Sequence, residues 1–114
     1  MSISIKEIIQ TQLEFDKSLK KDFSFINEDN QININNLEHL IVCLVGEIGE
    51  FSNIVKKLKR GDAYLEKEKS NLEEELSDIF IYYIKIVTHL GIDLEDIYFK
   101  KLELNKERFK QYKK

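Results

Sequence analysis

The chain has 114 residues, 42% of them hydrophobic, with no Pro, four Gly and a formal net charge of −3. Long helices with few connections suit this composition, whereas an all-β sandwich or barrel needs many more turns. The charge balance excludes a globally basic nucleic-acid binder, although Lys106, Arg108, Lys110, Lys113 and Lys114 make the C-terminus locally basic.

Four helices are predicted in one domain spanning residues 1–114. The first runs from about Ser2 to Lys20, with Ile5, Ile8, Ile9, Leu13 and Leu19 at helical spacing. Residues 27–36 contain five Asn and predict a loop, with Asn35 or Asn36 capping the next helix. The second helix runs from about Leu37 to Arg60 and stops at Gly61, a residue suited to a left-handed cap. Asp62 to Lys69 reads as a solvated connection. Ser70 and Glu73 have the spacing of a capping box, which opens the third helix. That helix ends at Gly91, and Asp93 caps a fourth that reaches about Tyr112. The longest apolar run, Ile79 to Ile84, is too short to span a bilayer. The N-terminus has no basic-then-apolar signal pattern, and the single cysteine, Cys43, excludes an intrachain disulfide or a cysteine-based zinc site. A reduced, cytoplasmic setting is the expectation.

The informative residues are polar ones inside apolar stripes. On a wheel started at Leu37, the residues Leu37, Leu40, Ile41, Leu44, Ile48, Phe51, Val55 and Leu58 define the apolar arc of helix two. Glu47 falls at about 280°, between Phe51 and Ile54 inside the apolar arc, and Glu50 at about 220°, beside Cys43 on its rim. On helix three, Leu72, Leu76, Ile79, Tyr83, Ile86, Val87 and Leu90 form the core face. From Leu72, Glu75 lies at about 300° and Asp78 at about 240°. Each helix thus places an acidic pair, spaced by three, on the same flank of its buried face. If the two helices pack side by side, four carboxylates converge and repel. A divalent cation relieves this, and an all-oxygen set favours Mg²⁺, Mn²⁺ or Ca²⁺ over zinc. Ion pairs within a helical bundle are the alternative.

On helix four, Lys101, Asn105 and Arg108 lie mid-stripe between Tyr98 and Tyr112. Cations there need an anionic partner, either the acidic quartet or the phosphates of a ligand. Tyr82 and Tyr83 read as core aromatics, with Tyr82 also a candidate substrate contact. Cys43 reads as a small core residue, and His39 and His89 as surface or structural. No Gly-rich phosphate loop, nucleophile elbow or Cys/His cluster is present.

Glu47-Ile48-Gly49-Glu50 and Glu75-Leu76-Ser77-Asp78, with 24 residues between the pairs, resemble the ExxE…ExxD signature of the MazG-like, all-α nucleoside triphosphate pyrophosphohydrolases. Leu44-Val45-Gly46, Leu90-Gly91-Ile92-Asp93 and Lys101…Asn105…Arg108-Phe109 extend the resemblance over about Leu37 to Phe109. Gly46 stands where many members carry a further Glu. The resemblance implies a four-to-five-helix bundle, assembled as a dimer or dimer of dimers, with the site near the subunit interface. It implies Mg²⁺-dependent hydrolysis of an NTP or dNTP to the monophosphate and pyrophosphate, a nucleotide-pool house-cleaning reaction. Glu47, Glu50, Glu75 and Asp78 would hold Mg²⁺, with Mn²⁺ a substitute. Glu50 or Glu47 would act on the attacking water, and Lys101, Asn105 and Arg108 on phosphate or sugar. Gln12 and Phe15 would lie in the base-contacting part of helix one. A related phosphoanhydride such as phosphoribosyl-ATP or dUTP, or a non-catalytic metal-binding regulatory role, are the competing readings. No nucleic-acid polymer or membrane partner is expected.

Overall fold

A computed structural model describes residues 2–20 and 31–114. Among them the chain is all-helical, with no strand: α1 (Ile5–Ser18), α2 (Ile34–Arg60), α3 (Leu65–His89) and α4 (Leu94–Arg108), then a short 3₁₀ turn, Lys110–Tyr112. No described helix is long and apolar enough to cross a membrane.

Local chemistry sets the helix ends. Ser4 caps α1, its hydroxyl accepting from the Glu7 amide at 3.1 Å. Asn33 caps α2, accepting from the Asn36 amide at 3.2 Å. This corrects the expectation of Asn35 or Asn36, both of which are helical; residues 27–30 of the expected loop lie outside the described residues. Gly61 ends α2 at φ 83°, in the left-handed region where a Cβ would be strained. Helix α3 starts at Leu65, five residues before the predicted capping box. Ser70 lies inside the helix, so the stretch 62–69 is largely helical and the box does not form. Tyr64 precedes α3 without a side-chain cap, and Glu66 and Glu68 favour the positive end of the helix dipole instead. Gly91 closes α3 at φ 66°, and the Asp93 carboxylate accepts from the Asp96 amide at 3.1 Å to start α4. Helix α4 ends at Arg108, short of the predicted Tyr112.

The main contact is between α2 and α3, which run antiparallel: Asn33 meets His89 at one end, and Glu47 meets Glu75 and Asp78 further along. The His89 Nε2 lies 3.1 Å from the Asn33 amide nitrogen and 3.0 Å from its carbonyl oxygen, the structural role expected for that histidine. Helix α1 packs on α3. Leu40, Ile84 and Val87 are the buried apolar side chains among the described residues. The predicted arcs are wider than this pairing covers. Ile41, Ile48 and Val55 on α2, and Leu76 and Tyr83 on α3, remain exposed, while Ile84, outside the predicted face, is buried. Helix α4 also leaves Ile97, Tyr98, Phe99 and Leu104 exposed.

Candidate metal centre

The antiparallel pairing of α2 and α3 brings the acidic pairs together as the wheel required. Glu47, Glu75 and Asp78 each offer a carboxylate oxygen, and these oxygens lie within 4.8 Å of one another. All three residues are half-buried. Glu50, exposed and one turn from Glu47, adjoins Glu75.

Two oxygens in the cluster, Oε2 of Glu47 and Oε2 of Glu75, are buried with no hydrogen-bond partner among the described residues. A buried charged oxygen without a donor is costly. No ion pair among the described residues involves any of the four acids. The ion-pair reading of this cluster therefore finds no cation, and the donor set fits a hard divalent ion. The electrostatics agree. Proton sharing with Glu75, and repulsion from it, raise the Glu50 carboxyl above the ordinary glutamate range. Proton sharing with Glu47, followed by burial, raises Glu75.

Those raised affinities give a stability prediction. A carboxyl that binds its proton more tightly in the folded state stabilises the fold fully below its unfolded pKa. The contribution is lost as pH rises through the raised folded value. The metal-free protein is expected to melt at a lower temperature at neutral than at mildly acidic pH, and Glu75→Gln to flatten that fall. Mg²⁺ at neutral pH should raise the melting temperature of the native chain and raise that of Glu75→Gln less. Scanning calorimetry with and without Mg²⁺ checks both, and a melting temperature indifferent to Mg²⁺ contradicts the metal assignment.

Tyr82 stands one turn beyond Asp78. Burial first, then the neighbouring Cys43 thiol and the charges of Glu47 and Asp78, raise its hydroxyl above the usual phenol range. Cys43 Sγ lies 3.5 Å from His39 Nε2, so this half-buried thiol borders the polar seam and is not an apolar core residue. Tyr83, expected in the core, is exposed.

The predicted substrate contacts on α4 stand apart from the acids. Lys101 and Arg108 are exposed and Asn105 half-buried, and no hydrogen bond or ion pair among the described residues joins them to the cluster. The Arg108 guanidinium lies over the Phe109 ring, 5.0 Å from its centroid. On α1, Phe15 is exposed and Gln12 is half-buried. The Gln12 amide donates to Asp16 Oδ1 at 2.9 Å, and Asp16 pairs with the Lys85 ammonium at 3.4 Å. The sequence reading missed Asp16 and Lys85. Ile5, Ile9, Gln12 and Asp16 recur at steps of four, three and four, so Asp16 stands in an apolar row. Lys85 is the lone charge between Ile79 and Val87.

Residues 35–111 match the family described as the MazG nucleotide pyrophosphohydrolase domain. Over 75 residues the chain is 31% identical to dCTP pyrophosphatase 1 of Rattus norvegicus and to that of Mus musculus. It is 29% identical to the Homo sapiens protein of the same name. Each alignment covers 62% of this chain and 44% of the relative. The chain thus spans less than half the length of these curated relatives.

Proposed function

Since the chain belongs to the MazG nucleotide pyrophosphohydrolase domain family, we propose that it is a Mg²⁺-dependent hydrolase that cleaves a nucleoside triphosphate to the monophosphate and pyrophosphate. The observation that carries this reading is the pair of buried, partnerless oxygens of Glu47 and Glu75 on facing helices. The likeness to the mammalian dCTP pyrophosphatases favours deoxycytidine triphosphate among the substrates. Nucleotide-pool chemistry suits a cytoplasmic setting.

Glu47, Glu75 and Asp78, with Glu50 at the open edge, would hold Mg²⁺. When bound, Mg²⁺ supplies charge neutralisation of the triphosphate and acidifies a water. Glu50 is exposed at the open edge of the cluster, which suits it to accept the proton from the attacking water. Water oxygen bonds to the α-phosphorus, the bond from that phosphorus to the bridging oxygen breaks, and pyrophosphate leaves with the bridging oxygen. Glu47 and Asp78 keep the site anionic and fixed on two rigid helices. Tyr82, beside them, borders the nucleoside. Lys101 and Arg108 neutralise the departing pyrophosphate, and Asn105 bonds a phosphate or the sugar. Because no polar contact among the described residues joins α4 to the acids, a second copy supplies these three groups. The exposed apolar rows of α2 and α3 are the faces on which that copy packs, as a dimer or dimer of dimers.

A panel of NTPs and dNTPs, assayed for pyrophosphate with and without Mg²⁺, tests the reaction. Pyrophosphate released only with Mg²⁺ is the expected result, and orthophosphate or no product contradicts it. On the best substrate, Arg108→Ala should lower kcat/KM by about 1.5–3 kcal/mol of charged hydrogen bonding, one to two orders of magnitude. Its melting temperature without metal should stay near that of the native chain. A large loss of stability with normal turnover would make Arg108 a structural cation.

A further inference from the structure

The acidic cluster is one end of a longer polar row. Glu75, Asp78, Tyr82 and Lys85 recur along α3 at steps of three, four and three, which places them on one face. The Lys85 ammonium lies 5.7 Å from the centre of the Tyr82 ring and 3.4 Å from Asp16 Oδ1 on α1. Asp16 is a buried charged residue, 4% exposed, and accepts from the Gln12 amide nitrogen at 2.9 Å. From Asp78 to Lys85 the helix rises about 10 Å, a span comparable to a nucleoside reaching from its phosphate to its base. Phe15, which precedes Asp16 on α1, is exposed.

A buried ion pair is weak evidence of a role in stability, because well-packed apolar groups commonly do as well. Orientation is what this one adds. A carboxylate only accepts hydrogen bonds, so Asp16 engages the nitrogen end of the Gln12 carboxamide and bars the flipped arrangement. The oxygen end is then the acceptor left for a ligand. The base group that projects furthest from the sugar and donates a hydrogen bond is an exocyclic amine.

We propose that Asp16 and Lys85 are positioning residues that fix the Gln12 carboxamide with its oxygen toward the base, so that the chain selects an amino-bearing base over its oxo counterpart. Lys85 holds Asp16, Asp16 holds Gln12, and Gln12 reads the base. This deepens the triphosphate reading and rests on it for the place of the phosphates.

The test uses the full chain with Mg²⁺ and the non-hydrolysable α,β-methylene analogues of dCTP and dUTP, whose bases differ in an amino against an oxo group. Binding is measured by titration calorimetry, melting temperature by circular dichroism, and turnover of dCTP and dUTP alongside. The native chain should prefer the cytosine analogue by about tenfold, the scale of one hydrogen bond made and its mismatch avoided. Asp16→Asn, whose amide allows Gln12 either orientation, should bring the ratio close to one, mainly by weakening the cytosine analogue. Asp16→Asn combined with Lys85→Gln removes both charges at once and should do the same if the single variant folds poorly. Gln12→Met should abolish the preference while leaving the ion pair and the melting temperature intact. Variants that melt early yet keep the native ratio overturn the proposal, as does a native chain that binds the two analogues equally or binds neither. A cytosine preference that the variants erase, in a chain that turns over neither nucleotide, upholds the positioning and refutes the hydrolase reading.

Discussion

Glu50→Gln and Asp78→Asn are each expected to remove Mg²⁺-dependent hydrolysis, by at least about two orders of magnitude in kcat/KM. Far-ultraviolet circular dichroism should stay native. The basis is that neither side chain has an ion-pair partner among the described residues. Glu50 is exposed on α2, and Asp78 offers an oxygen to the group of carboxylates it forms with Glu47 and Glu75. Loss of one negative charge relieves repelling neighbours, so the metal-free variants should melt at or above the native temperature. A residue that held the hairpin together would behave in the opposite way, with lower stability and turnover retained by the folded fraction. Stability and turnover measured on the same preparations separate the two.

The second large effect concerns the exposed apolar rows. Ile48 on α2 is 46% exposed and Leu76 on α3 51%, both on the helices whose Leu40, Ile84 and Val87 form the thin core of the protomer. Burying such a side chain contributes about 1.5–3 kcal/mol. In a two-fold assembly each position counts twice, so Ile48→Asp or Leu76→Asp should weaken association by about 3–6 kcal/mol. That corresponds to about two to four orders of magnitude in the dimer Kd. Light scattering should find an oligomer for the native chain and a monomer for either variant, with hydrolysis lost in step because α4 no longer reaches a neighbouring cluster. A native chain that scatters as an active monomer at micromolar concentration contradicts this assembly.

The acidic centre was legible in the sequence because helical periodicity is rigid. Once Glu47 and Glu50, and Glu75 and Asp78, lie on matching flanks, side-by-side packing leaves little freedom in where they meet. Helix ends were less legible. Several Asn residues near the start of α2 are equally capable caps, and the choice of Asn33 follows from Ile34 joining the helix. Ser70 and Glu73 share a spacing that a capping box and a helix interior both produce. With helix-forming Glu66, Lys67, Glu68 and Lys69 ahead of them, the helix simply starts earlier. A wheel reports which residues are apolar, not which are covered. Ile41, Ile48, Val55 and Leu76 therefore looked like core, although the neighbouring helices of one protomer leave them open. The pairing of Asp16 with Lys85 links residues 69 positions apart, and only the packing of α1 on α3 reveals it.

We propose that the carboxylates of α2 and α3 direct water to the α-phosphorus of a bound triphosphate. Hydrolysis of dCTP in oxygen-18 water, with products read by phosphorus NMR and mass spectrometry, tests it most directly. Label is expected in the nucleoside monophosphate and not in the pyrophosphate, only with Mg²⁺, and the reaction is expected to be lost in Glu75→Gln. Label in pyrophosphate, release of orthophosphate, or undiminished turnover by Glu75→Gln would contradict it.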